Sequence, residues 1–171
     1  MDNSFFAYLQ QLELVAFFSG YPLLYALVLF IAGNNYIKKN DKSILTVALP
    51  FSYALTGTLY LGLQLKNLYP NYSIEHLRNT IQQPWLIAWA ILSLLFWIPA
   101  SGKKTVYSLL HSLIFFLLFL KYLFMPMYAS TGDKTIIRND MKLYTVSLLI
   151  NAGAFILIWL LSLVVSRLKR N

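Results

Sequence analysis

Ser108, His111 and Ser112 fall within five positions of one another. A histidine beside two hydroxyls is the smallest set that can supply a base and a nucleophile. It lacks an acid to hold the ring in one tautomer, which acyl-transfer triads require. The ring could instead titrate near neutral pH, or ligate a metal or haem. The other histidine is His76, which the chain order places on the far side of any bilayer that His111 enters. One chain therefore offers a single imidazole to a metal, and only a symmetric dimer would pair two copies of His111. The reading favoured is a neutral histidine, hydrogen-bonded inside a bundle, with no metal and no cofactor.

Two more polar stripes run through apolar sequence. Thr46, Pro50, Tyr53, Gly57 and Tyr60 are three and four apart, hence on one helix face, with Ser52 and Thr56 beside them. Tyr144, Ser147 and Asn151 form a third stripe, with Ser162 three turns on. With Ser108, His111 and Ser112 they make a candidate polar seam. Its functional reading is a cavity for a substrate, an ion or a lipid headgroup. Its structural reading is interhelical hydrogen bonding, about 0.6 kcal/mol per contact on average, with Gly57, Gly153 and Ala154 letting backbones approach. The structural reading is preferred. Pro22 and Pro50 are the expected kinks, since each removes a donor and crowds the preceding turn. Pro50 would also free the carbonyl of Thr46.

The elements that carry these residues are long apolar runs. Of 171 residues 58% are hydrophobic and 12% charged, with a mean hydropathy of +0.61, too little charge to cover a soluble domain. A helix needs about 20 apolar residues to cross roughly 30 Å of hydrocarbon. Five spans meet or approach this, at about 12–33, 43–65, 81–99, 105–125 and 143–166. The expected fold is an all-α integral membrane protein, one transmembrane domain over 1–171, a bundle of about five transmembrane helices with short loops. The third span is the shortest and could be re-entrant. Trp85 and Trp97 lie near its ends, as an aromatic belt places them. A short interfacial turn is expected around Phe5, Phe6, Leu9 and Leu12, and a short helix capped by Ser73 and carrying Ile74, Leu77 and Ile81. A loop is expected over 128–142, with a turn at Thr131-Gly132-Asp133. Asn71-Tyr72-Ser73 fits an N-glycosylation acceptor or, equally, a polar turn after Pro70.

Charge sets the orientation. The net charge is +8, but the basic residues lie between apolar runs, where they govern topology and meet anionic headgroups. They form no stripe for nucleic acid. With the N-terminus outside, Lys38, Lys39, Lys42, Lys103, Lys104, Arg167, Lys169 and Arg170 face the cytoplasm. Lys66, Arg78, Lys134, Arg138 and Lys142 then face outward, which favours N-out, C-in. Lys121 lies inside the fourth span, where its stem can snorkel to the headgroups; the alternative is contact with a substrate anion. Met1-Asp2-Asn3-Ser4 lacks the basic start of a cleaved signal.

Several activities are disfavoured. No acidic residue falls mid-span, Glu13 coming nearest, whereas coupled transport and aspartyl intramembrane proteolysis need an intramembrane carboxylate. There is no cysteine, no phosphate-binding loop, no H-E-x-x-H and no G-x-S-x-G. No inverted repeat links the first spans to the last, as repeat-built transporters would show. Three function classes remain. The first is a non-enzymatic accessory, anchoring or effector subunit working through a protein partner or self-association, in contact with membrane lipids. The second is a small channel or uncoupled carrier assembled around the polar stripes. The third is a lipid-modifying enzyme using His111.

Overall fold

A computed structural model describes residues 14–33, 39–70, 72, 84–98, 105–128 and 134–168, with 39–41, 67, 125–128 and 134–140 described by backbone alone. Nearly all of these residues are helical, with no strand among them. Helix α1 is Tyr21–Gly33 and α2 is Lys39–Leu68. Helix α3, Pro84–Ile91, runs on as a 3-10 segment, Leu92–Trp97. Helix α4 is Thr105–Tyr128 and α5 is Lys134–Leu168.

Four helices are long and apolar enough to cross a membrane, over Leu14–Gly33, Lys42–Lys66, Thr105–Phe124 and Met141–Leu168. Large apolar side chains lie exposed along all four, among them Leu27, Phe30, Leu59, Leu110, Leu117, Leu149 and Leu157. Water would penalise such a surface; hydrocarbon does not.

Of the third span expected over 81–99, residues 84–98 are described. Pro84–Trp97 has eight α-helical residues followed by six 3-10 residues. At rises of about 1.5 and 2.0 Å per residue it reaches about 24 Å, short of a full hydrocarbon crossing. Two boundaries move. The expected loop over 128–142 is helical from Lys134 onward. Helix α4 continues past Pro126 to Tyr128, since a proline near a helix end removes only one late hydrogen bond. The expectations for 1–13, Lys38, Asn71, 73–83, Lys103, Lys104, Thr131-Gly132-Asp133, Lys169 and Arg170 lie outside the described residues.

Helix α2 is the central element and touches every other one. Contacts fix the directions. Tyr21 meets Tyr53 while Phe17 meets Tyr60, so α1 and α2 are antiparallel. Tyr53 meets Phe96 and Gly57 abuts Ser93, so the third segment runs against α2. Tyr25–Thr105, Tyr21–Ser108 and Phe18–Phe115 run α4 against α1. Thr56 meets Asn151 and Phe51 shares a cleft with Ile158, so α5 runs against α2. The core is an aromatic stack in which Phe18 lies on Phe115 at 4.7 Å and edges onto Tyr53 and Tyr60. The polar stripes form the inward faces of α2, α4 and α5: Ser52, Tyr53, Thr56, Ser108, His111, Ser112, Ser147 and Asn151 are all buried.

Candidate functional site

Two groups of buried polar residues result, not one seam. The first is built around a break in the initial span. Residues 14–18 are helical, Ser19 and Gly20 form a turn, and α1 starts at Tyr21. Pro22, in the first turn of α1, has no N–H to continue the preceding ladder but suits a helix start. The turn keeps some helical bonds, Ser19 N to Val15 O at 3.0 Å and Leu24 N to Gly20 O at 3.2 Å. Its other groups look to α5. The N–H of Gly20 donates to Ser147 Oγ at 2.8 Å. Asn151 Nδ2 donates to Phe17 O at 2.7 Å and to Ser147 O at 2.8 Å. Both acceptors are carbonyls, which fixes the orientation of the amide. Thr56 Oγ1 lies 3.5 Å from Asn151 Oδ1 while donating to Ser52 O at 3.1 Å. One turn of α5 thus supplies an acceptor and a donor to a broken turn of another helix, and in hydrocarbon that is the condition for tolerating the break.

Close approach makes this clamp possible. A Cβ on Gly20 would stand 2.8 Å from the backbone of Ser147 and of Leu148. Gly20 does not have positive φ, so proximity, not conformation, demands glycine here.

The second group centres on His111. Nε2 lies 2.9 Å from Trp89 O and Nδ1 lies 2.7 Å from Tyr53 Oη. A carbonyl can only accept, so Nε2 carries the proton. In the neutral ring Nδ1 then accepts, and Tyr53 donates. Trp89 answers with its indole N–H to His111 O at 3.2 Å, and the two rings stack at 4.7 Å, 6° from parallel. This reciprocal pair fastens α3 to α4, while Tyr53 brings α2 to the same point. One turn away, Ser108 donates to Thr105 O at 2.7 Å, so Tyr21 Oη, 2.8 Å from Ser108 Oγ, is the donor in their bond.

The geometry does not align Ser108 or Ser112 with the imidazole. Ser112 donates to Leu109 O in its own helix at 2.8 Å, and both nitrogens of His111 are engaged elsewhere. Of the sequence candidates, His111 joins Tyr53, Ser108 adjoins that pair through Tyr21, and Asn151, Ser147 and Thr56 form the clamp. Tyr144 joins neither group and stacks on Phe119 at 4.5 Å. Lys121 is exposed. Pro22 lies in the first turn after the break, and Pro50, which is fully buried, lies inside α2.

Gly153, expected at a close contact, faces open space; Gly57 meets the Ser93 side chain. A glycine in an apolar run does not reveal which face it occupies until neighbours are placed. The residues missed are Ser19, Gly20, Tyr21, Trp89 and Ser93. A chemical signal existed for the first group. A break frees a donor and an acceptor one turn apart, so it calls for a polar pair at i, i+4, and Ser147 with Asn151 is one. No comparable signal linked Trp89 to His111.

Among the described residues, clefts of 210, 380 and 460 Å³ are lined mainly by apolar side chains, and none of these includes a residue of either polar group. Compared with known protein families, curated proteins and solved structures, the chain matches none.

Proposed function

We propose that this chain is a multi-pass membrane protein of five passes that works as an accessory, anchoring or effector subunit through other chains. One observation carries the reading. Among the described residues, the buried polar side chains from Ser19 to Asn151 each have a hydrogen-bond partner within the bundle, and the indole N–H of Trp159 is the one buried side-chain polar atom without one. Polar groups that satisfy one another rigidify a core and hold nothing in reserve for a ligand. The outer surface is then the part left to act. Its exposed leucines, valines and phenylalanines suit lipid and neighbouring helices alike.

The fifth pass rests on the third segment, whose 3-10 stretch lengthens it beyond what 14 α-helical residues would reach and which runs against α2. The alternating directions of the five elements place Leu14 and Leu168 at opposite ends of the bundle. The distribution of basic residues favours the N-terminus outside and the C-terminus in the cytoplasm.

Purification of the tagged chain from its native membrane in mild detergent tests the proposal. A partner at fixed stoichiometry is expected. A lone monomer, or ion flux across vesicles containing the purified chain alone, refutes it.

A further inference from the structure

We infer that the cleft between the 3-10 segment and the C-terminal half of α5 holds one acyl chain of an anionic phospholipid. The cleft has a volume of about 380 Å³ and is lined by Phe51, Trp97, Ile158, Leu161, Val165 and the serines 162 and 166. Among the described residues, the 3-10 segment ends at Trp97 while α5 continues to Leu168, and no described helix covers this flank of α5. From Ile158 to Ser166 the cleft follows α5 for about 12 Å.

Its walls suit hydrocarbon. The two serine hydroxyls are turned back onto their own helix, Ser162 to Ile158 O and Ser166 to Leu163 O, both at 2.8 Å. They offer a polar occupant little. Charge selects the headgroup. Arg167 follows Ser166 directly and is exposed. Lys42 lies in the first turn of α2, and because α2 and α5 are antiparallel, that turn lies toward the same end of the bundle as Arg167. The charged side chains described at this end, Lys42 and Arg167, are both basic. A chain in the cleft would therefore bring its phosphate to a cationic rim, the arrangement by which basic pockets between membrane helices select anionic lipids. The inference extends the proposed function and does not depend on which protein partner is bound.

Trp97 is a reporter within the cleft. The full chain in mild detergent is titrated with phosphatidylglycerol or phosphatidylcholine carrying brominated acyl chains, and tryptophan fluorescence is followed. Brominated phosphatidylglycerol is expected to quench at about fivefold lower mole fraction than brominated phosphatidylcholine, the preference that one basic residue near the surface provides. Arg167→Gln should remove most of that preference. Trp97→Phe should remove the headgroup-dependent part of the quenching, and Val165→Trp, which fills the cleft, should weaken binding of both lipids. Arg167 is exposed, so its variant tests the inference even if Val165→Trp fails to fold. Equal quenching by the two lipids overturns the inference, as does a preference unchanged in Arg167→Gln or unchanged in Trp97→Phe. Protection from both lipids in a chain that runs as a dimer also overturns it and assigns the cleft to a second copy.

Discussion

Gly20→Ala tests the clamp most sharply, because the added methyl meets backbone. Its Cβ would lie 2.8 Å from Leu148 N and from the carbonyl carbon of Ser147, and 3.0 Å from Leu148 Cα. Ordinary contact begins at 3.4 Å, so α5 must retreat by roughly half an ångström or more at this level. None of those atoms belongs to a side chain that can swing aside, and forced overpacking of this kind costs about 1–3 kcal/mol. Retreat also lengthens the bonds from Gly20 N to Ser147 Oγ and from Asn151 Nδ2 to Phe17 O, now 2.8 and 2.7 Å. Interhelical bonds in membranes are worth about 0.6 kcal/mol on average. Together these terms give a loss of about 2–4 kcal/mol. Gly153→Ala is the internal control. It makes the same chemical change in an α5 position with nothing within 4 Å of the new Cβ. There the helix preference of alanine should leave stability unchanged or raise it by about 0.5–1 kcal/mol. Helical circular dichroism during titration of the full chain from mild detergent into dodecyl sulfate reads both. If Gly20→Ala and Gly153→Ala agree within about 0.5 kcal/mol, a resolution set by the additivity of independent sites, the clamp as described is wrong.

Four further expectations follow from the packing. Gly57→Ala should destabilise the bundle because its Cβ would collide with the Ser93 side chain, and Ser93→Ala should recover much of the loss; simple additivity in a double-mutant cycle would refute that contact. His111→Ala should lower the yield of folded protein and cost about 2–4 kcal/mol through lost packing and unpaired groups, seen in the same denaturant titration. Unchanged stability would refute a structural role for the ring. Tyr53→Phe should cost about 0.5–2 kcal/mol by leaving His111 Nδ1 without its donor, and little further loss should appear in the His111→Ala background; an undiminished loss there would break the pairing. Trp159→Phe should be neutral or stabilising, since the buried indole N–H of Trp159 has no hydrogen-bond partner among the described residues; a loss above about 1 kcal/mol, the worth of a typical hydrogen bond, would reveal one.

The sequence by itself determined the all-helical fold class and the long apolar helices. Hydrophobic run length is a local property, and a run near 20 residues reads the same wherever its neighbours lie, so four long apolar helices were legible. The inward faces of α2, α4 and α5 were legible too, because buried positions recur with the helical period. Proline chemistry placed an interruption near Pro22, and the turn at Ser19 and Gly20 lies just before it. Pairing was left to the tertiary structure. Nothing local distinguishes Gly20, pressed against the α5 backbone, from Gly153, which faces open space. Nothing local marks Trp89 as the partner of His111, or divides the polar stripes into a clamp and a histidine pair. Those outcomes depend on rotation and register between helices about 60 to 130 residues apart in several of the bonds, and short-range periodicity carries no information about either. The 3-10 geometry of the third segment was decided the same way. Its apolar run has an α-helical beginning, and only its packing along α2, with Ser93 against Gly57 and Phe96 against Tyr53, accompanies the change to 3-10 geometry.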